Sequence, residues 1–266
     1  AGAAENVHVE WSTNEKAALE LLAGASYAGA RTLFTCKQVG LNVASDPLMS
    51  LNYVGVKGGT VLFVADDPGP ISSQTEQDTR RFGNFAKVPV LDPATPDQGF
   101  DMMKAAFELS ERYKTPVIVR PTTRVCHAST FFDVVEETHA KPIPEEGFER
   151  GPRWVIFPKR AFEGHGEINE RLRAIAVDYA TNPVLSAFNP VDEHRVAGQL
   201  TRYGIVAGGV SAAYALEALR LLEERANERG VQLPAYRFWQ VGTPFPFPER
   251  TCAEFIKGLT DVLVLE

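Results

Sequence analysis

Along the first 120 positions, short wholly apolar runs alternate with longer stretches in which apolar residues recur every three or four positions. From Glu15 to Gly29, the residues Ala17, Ala18, Leu21, Leu22 and Ala25 share one side of a helix that closes at Gly29. Arg31–Cys36 follows as a short strand and Asp46–Val54 as a helix. Thr60–Ala65 (TVLFVA) and Val88–Leu91 are brief apolar runs of the buried-strand kind. An amphipathic helix over Asp97–Tyr113 leads to a further run, Val117–Val119. Such strands alternating with helices predict a mostly parallel sheet covered on both faces.

The rhythm breaks near Phe131. As far as Arg160 the chain is polar and proline-rich, which reads as a linker, and a charged helix is expected over Glu167–Tyr179. A second βαβαβ block then runs Tyr203–Ala207, Ser211–Arg229, Ala235–Val241, Pro248–Leu259 and Asp261–Leu265. The expected fold class is therefore α/β, with two parallel-sheet domains at 1–130 and 201–266. Residues 131–200 form a linker with a helix between them. There is no internal repeat and no low-complexity tract.

Composition narrows the function classes. A chain of 266 residues accommodates two domains, and 44% hydrophobic with 23% charged residues is an ordinary globular balance. A formal net charge of -7 lacks the basic footprint of a nucleic-acid binder. No apolar run approaches the roughly 18 residues of a membrane span, and AGAAENVHVE shows no secretory signal. Cys36, Cys126 and Cys252 are scattered and form no CxxC pair, so neither zinc nor an iron–sulfur cluster is expected on this chain. They read as reduced thiols in a cytoplasm.

In parallel α/β sheets, ligands sit beyond the carboxyl ends of strands. Three loops qualify. In Lys37–Asn42, Gln38 and Asn42 offer hydrogen bonds and Gly40 allows close backbone approach; the same residues equally suit a simple turn. Asp66–Arg81 is long and polar, as functional or solvated loops are. The loop after Val119 carries Arg120, Arg124 and His127, the last an acid–base candidate or a half-buried polar side chain. Phe63, Phe82 and Phe85 suit an aromatic wall or a core. Gly208-Gly209, before a helix, suits a phosphate cup or tight strand–helix packing. Ser12 and Glu15 have capping-box spacing.

Several stretches go further: HVEWSTNEKAALELLAGASYAGARTLFTCKQVGLN (His8–Asn42), GGTVLFVADDPGPISSQTEQDTR (Gly58–Arg80), TPVIVRPTTRVCHA (Thr115–Ala128), YGIVAGGVSAAYALEAL (Tyr203–Leu219) and QVGTPFPFPE (Gln240–Glu249). On these the chain closely resembles indolepyruvate:ferredoxin oxidoreductase alpha subunits, within the 2-oxoacid:ferredoxin oxidoreductase family. Only about 136–202 matches weakly. The resemblance implies a thiamine-diphosphate pyrimidine-binding-like domain followed by a transketolase carboxy-terminal-like one.

The same resemblance implies a site. Glu15 would meet the aminopyrimidine of thiamine diphosphate, sharing its ring proton in a charge-assisted hydrogen bond, and an apolar surround would raise the carboxyl pKa. Gln38, Gly40 and Asn42 would complete the cofactor contact. Gln74, Glu76, Gln77, Asp78, Arg80, Arg124 and His127 would face the substrate. Arg80 or Arg81 could clamp its carboxylate, with helix-surface salt bridging the alternative for one of them. Pyruvate-using relatives carry an arginine directly after the equivalent strand, where Asp66-Asp67 stand here, which leaves the carboxylate anchor open.

The implied reaction turns an arylpyruvate such as indolepyruvate and coenzyme A into aryl-acetyl-CoA, carbon dioxide and reduced ferredoxin. The alternatives are another 2-oxoacid:ferredoxin oxidoreductase, or a non-oxidative thiamine-dependent decarboxylase or transketolase-like enzyme. No Gly-Asp-Gly motif for magnesium and diphosphate occurs in the sequence. The chain therefore reads as a fragment, with the diphosphate site and the iron–sulfur clusters in an absent domain or a partner. A beta subunit is the expected partner.

Overall fold

A computed structural model of the chain describes residues 7–131, 133 and 142–266. The first sheet takes its strands in the order β1 (Thr32–Lys37), β2 (Thr60–Ala65), β4 (Val117–Val119) and β3 (Val90–Leu91), all parallel. Its helices are α1 (Glu15–Tyr27), α2 (Gln38–Val43), α3 (Ser45–Val54), α4 (Thr79–Ala86), α5 (Pro96–Tyr113) and α6 (Thr123–Cys126). The period-two geometry of a strand sorts TVLFVA between two cores. Leu62 and Val64, with Val90 and Ile118, pack under α1 to α4. Val61, with Leu91, Val117 and Val119, packs on the other face against α5 and, beyond it, α7 (Pro158–Thr181) and α8 (Pro183–Ser186). Phe63 joins this second core.

The second sheet has the order β5 (Val191–His194), β7 (Tyr236–Val241), β6 (Tyr203–Gly208) and β8 (Asp261–Leu265). The strands β7, β6 and β8 are parallel, whereas β5 is an antiparallel edge. Helix α9 (Gly209–Glu228) covers one face, over Ala207 and Phe238. Helix α10 (Glu249–Phe255) covers the other, over Trp239 and Val241. The expected α/β architecture of two sheets is what the structure shows.

Several local expectations need correction. The stretch Lys37–Asn42, read as a loop, is the short helix α2 from Gln38 onward. Leu41 inserts into the first core there, and packing outweighs the weak helix propensity of Gly40 and Asn42. Strand β5 lies inside 131–200 yet pairs with β7, so the second sheet is mixed rather than wholly parallel. Helix α7 starts at Pro158, within the stretch read as linker, because proline suits the first turn of a helix. Residues 132 and 134–141 of that stretch lie outside the described residues.

Two arginines of α7 and one from the segment before it, Arg153, bind the carboxyl end of α3. Arg171 donates to the Asn52 carbonyl and side chain, Arg160 to the Tyr53 carbonyl and Arg153 to the Val54 carbonyl. These carbonyls are the ones a helix end leaves unpaired, and cations there also oppose its dipole. Among the described residues, no helix is long and apolar enough to cross a membrane.

The two sheets meet along β3. Val90 bridges antiparallel to Phe245, and the Asp92 amide donates to the Gly242 carbonyl at 2.8 Å. Gln98 Oε1 accepts from the Ala94 amide and from Gln240 Nε2. These contacts bring the carboxyl end of β3, at Asp92, against the start of α9.

Candidate active site

Glu15 is the first residue of α1. The cap is Asn14, whose side chain accepts from the Ala17 amide at 2.9 Å. The Ser12–Glu15 capping box is therefore not formed: with the cap at Asn14, Glu15 stands too early in the helix to reach back. Its half-buried carboxylate accepts no hydrogen bond and pairs with no cation among the described residues.

Gly40, on α2, forms the floor beneath it. A Cβ at Gly40 would lie 2.6 Å from Glu15 Oε1 and 2.9 Å from Cγ. Any other residue would push the carboxylate away. Cys36, at the end of β1, feels the same carboxylate. Burial, and then the Glu15 charge, push its thiol pKa up to about 12, so the thiol stays protonated at neutral pH.

Gln38 opens α2 and is buried, with neither Nε2 nor Oε1 hydrogen-bonded. It lines a cleft of about 260 Å³ between α2 and α4, with Gln77, Asp78, Arg81, Phe82 and Phe85. Gln38 and Gly40 thus serve different neighbours of one short helix.

A second charged group lies at the seam between the sheets. Asp66, Asp92 and Arg120 are the residues immediately following β2, β3 and β4, and all three are buried. Arg120 Nε donates to Asp66 Oδ2 at 2.6 Å, and Nη1 reaches both Asp92 oxygens at 3.2–3.3 Å. Asp66 Oδ2 also accepts the Thr79 amide at 2.9 Å. Burial raises the Asp92 pKa, against the opposing pull of Arg120.

Asp92 also fills the turn before α9. Gly209 adopts φ +47°, and a Cβ there would lie 2.6 Å from Asp92 Oδ1. The phosphate cup considered at Gly208-Gly209 is therefore occupied by a carboxylate of the protein itself, set against the positive end of the α9 dipole.

Comparison with known proteins shows what the chain is similar to. No protein-family profile matches the chain. It is 40% identical over 264 residues to "Indolepyruvate oxidoreductase subunit IorA" of Thermococcus kodakarensis, covering 98% of this chain and 38% of that protein. The IorA subunit of Methanothermobacter thermautotrophicus is 38% identical over 262 residues, with 98% and 39% covered. Over almost its whole length, the chain is similar to these IorA subunits. It spans under two fifths of the length of these relatives. The fold is shared with a 2-oxoglutarate:ferredoxin oxidoreductase from Magnetococcus marinus, at TM-score 0.66 and 17% identity over 97% of this chain and 49% of that one.

Within this fold, the remaining expected site residues scatter. Asn42 is exposed, and its carbonyl accepts the Ser45 hydroxyl. Gln74 and Glu76 are exposed; Gln74 accepts from Lys37 Nζ at 3.3 Å. Gln77 bonds Thr75 and reaches the cleft. Asp78 caps α4 and holds Arg80 through two side-chain contacts of 2.9 Å. Arg80 also pairs with Glu266 at 2.7 Å, so its guanidinium is committed to protein carboxylates. Arg124 and His127 lie exposed on and just past α6.

Asp67, adjoining Asp66, organises the long loop from within. It accepts the amides of Ile71, Ser72 and Ser73 and the Thr123 hydroxyl. Those backbone bonds, Ser72 first, hold its carboxyl well below the usual carboxylate range. Sequence reasoning missed Asp92 and the role of Arg120 as hub. A signal was present: each of three successive predicted strands is followed at once by a charged residue.

Proposed function

We propose that this chain supplies the pyrimidine-facing part of a thiamine-diphosphate-dependent oxidoreductase that decarboxylates arylpyruvates, indolepyruvate among them. The observation that carries this reading is Glu15, whose partnerless carboxylate is held over Gly40 beside the end of β1. A cofactor ring nitrogen needs such a carboxylate, and the other acids around the sheet ends are already committed. When bound, thiamine diphosphate supplies the nucleophilic carbon and the electron sink for decarboxylation.

The chain's own residues do the rest of the local work. Glu15 shares a proton with the ring nitrogen and so sets the basicity of the amino group across the ring. Gly40 leaves the carboxylate its place, and Asn42 stands on the same helix as a further polar group. Cys36 remains a neutral thiol and does not compete for that proton.

The subunit relationship supports the wider assignment. Magnesium and the diphosphate are assigned to sequence outside this chain, which carries no Gly-Asp-Gly motif. Iron–sulfur clusters in another domain or in a beta subunit would supply the electron path to ferredoxin, and coenzyme A would be the acyl acceptor, in the cytoplasm. The first sheet unit is pyrimidine-binding-like and the second transketolase carboxy-terminal-like.

Glu15→Gln in the complete enzyme tests this reading. Turnover of indolepyruvate should fall by about 10²–10⁴-fold, the usual range for lost acid–base assistance, with Tm unchanged. Activity within a few-fold of wild type would reduce Glu15 to a helix-start residue.

A further inference from the structure

The cleft between α2 and α4 has features that the pyrimidine contact leaves unused. Its 260 Å³ approaches the roughly 300 Å³ at which ligand pockets begin. Gln38 is 1% exposed, and both of its amide atoms are without a partner among the described residues. Buried side-chain amides are nearly always hydrogen-bonded, so an orphaned pair on a cavity wall marks the place of a ligand group. Leu41 makes the wall beside it apolar.

Helix α4 supplies complementary chemistry. Phe82 and Phe85 meet edge to face, with centroids 6.1 Å apart and planes at 80°. Phe85 remains 73% exposed while lining the cleft. Arg81 lines it too, and its side chain has no hydrogen-bonded or ionic partner among the described residues. The acid on the rim, Asp78, is already paired with Arg80. The cleft thus offers one free cation, an aromatic wall and a buried amide.

We propose that this cleft seats an aromatic carboxylate, namely the aryl end and the carboxylate of the 2-oxo acid. Arg81 pairs with the carboxylate, Phe82 and Phe85 pack against the ring, and Gln38 Oε1 accepts the N–H of an indole. The assignment rests on the arylpyruvate reading above and adds which side chains choose the ring. Gln38 and Gly40 lie about 200° apart around a helix of 3.6 residues per turn, so the cleft and Glu15 flank the same short helix. A site built to bond an N–H discriminates against rings that lack one, because its own polar atom is then left unpaired.

The test is equilibrium titration of the whole chain with indole-3-propanoate, a carboxylate with no 2-oxo group to react. The comparison ligands are 3-phenylpropanoate and butanoate. Indole-3-propanoate should bind tightest, and butanoate at least tenfold more weakly than 3-phenylpropanoate. Arg81→Gln, on an exposed residue, should weaken both aryl ligands tenfold or more. Gln38→Leu should abolish the preference for indole over phenyl while leaving phenyl affinity within about twofold. Absence of binding, or binding indifferent to both substitutions, overturns the proposal.

Turnover by the complete enzyme separates the two layers. If the probe binds as expected but arylpyruvates are used no better than pyruvate, the arylpyruvate reading fails, and with it the cleft's role as substrate seat; what remains is an aromatic-carboxylate site. If arylpyruvates are preferred while the probe ignores Gln38 and Arg81, the cleft assignment alone fails.

Discussion

Asp66 and Asp92 are buried between the two sheets and share the guanidinium of Arg120, whereas Glu15 stands half-exposed on the first turn of α1 with no partner among the described residues. Both sets of carboxylates belong to the first unit, yet physical chemistry treats them differently. A carboxylate removed from water must be paired and hydrogen-bonded, or it gives up its charge. Asp66 meets that requirement with Arg120 and the Thr79 amide, and Asp67 with three backbone amides and a hydroxyl. Such groups are already engaged by the protein's own donors. Glu15 keeps enough contact with solvent to remain unpaired without a large penalty. The difference separates acids that hold the fold from an acid free to hold a cofactor.

The strongest way to break this contrast is Arg120→Met. Removing one partner of a buried ion pair typically costs about 3–5 kcal/mol, so chemical denaturation should show a loss of that order. Glu15→Gln should change stability by less than about 0.5 kcal/mol, as substitutions away from such features do. A loss below 1 kcal/mol for Arg120→Met would make the seam network incidental.

Gly40→Ala sharpens the comparison from the other side. The new methyl group meets the flexible end of Glu15 rather than backbone, so the fold should survive with a change under about 1 kcal/mol, within the range of ordinary substitutions. Turnover of the complete enzyme should nevertheless drop tenfold or more, because a displaced carboxylate no longer meets its ring. Normal turnover would show that Gly40 does not set the Glu15 position.

The smallest effect concerns pH. The Asp67 carboxyl is lowered in the folded chain, chiefly by the Ser72 amide. It therefore contributes stability above its unfolded pKa of about 3.9, and that contribution fades as pH falls toward the folded value. Wild type should be more stable than Asp67→Asn at pH 7, and the gap should close progressively below about pH 4. A gap that stays constant to pH 2 would mean the loop is held by something other than this charge.

Much of the architecture was legible because it depends on local pattern. TVLFVA announced a strand buried on both faces, and its residues do alternate between two cores. Glu15 could be placed at a helix start from its neighbours alone. Ser12 and Asn14 are both residue types that cap helices, and only the backbone path chooses Asn14. Lys37–Asn42 looked like a loop because Gly40 and Asn42 are turn-formers, whereas the packing of Leu41 made it a helix. Arg80 looked like a substrate clamp until Asp78 and Glu266 were found on it.

By itself, the sequence determined the alternation of strands and helices, the two α/β units and the acidic residue opening α1, since these follow from periodicities that neighbouring residues impose on one another. Tertiary structure decided which charges meet. Arg120 finds Asp66 across 54 positions, Asp92 fills the turn at Gly209 in the other unit, and Gly40 comes to lie under Glu15. No local rule encodes those distances. They arise when apolar faces bury and force the strand ends together, after which each buried charge takes whichever partner the packing has brought within reach.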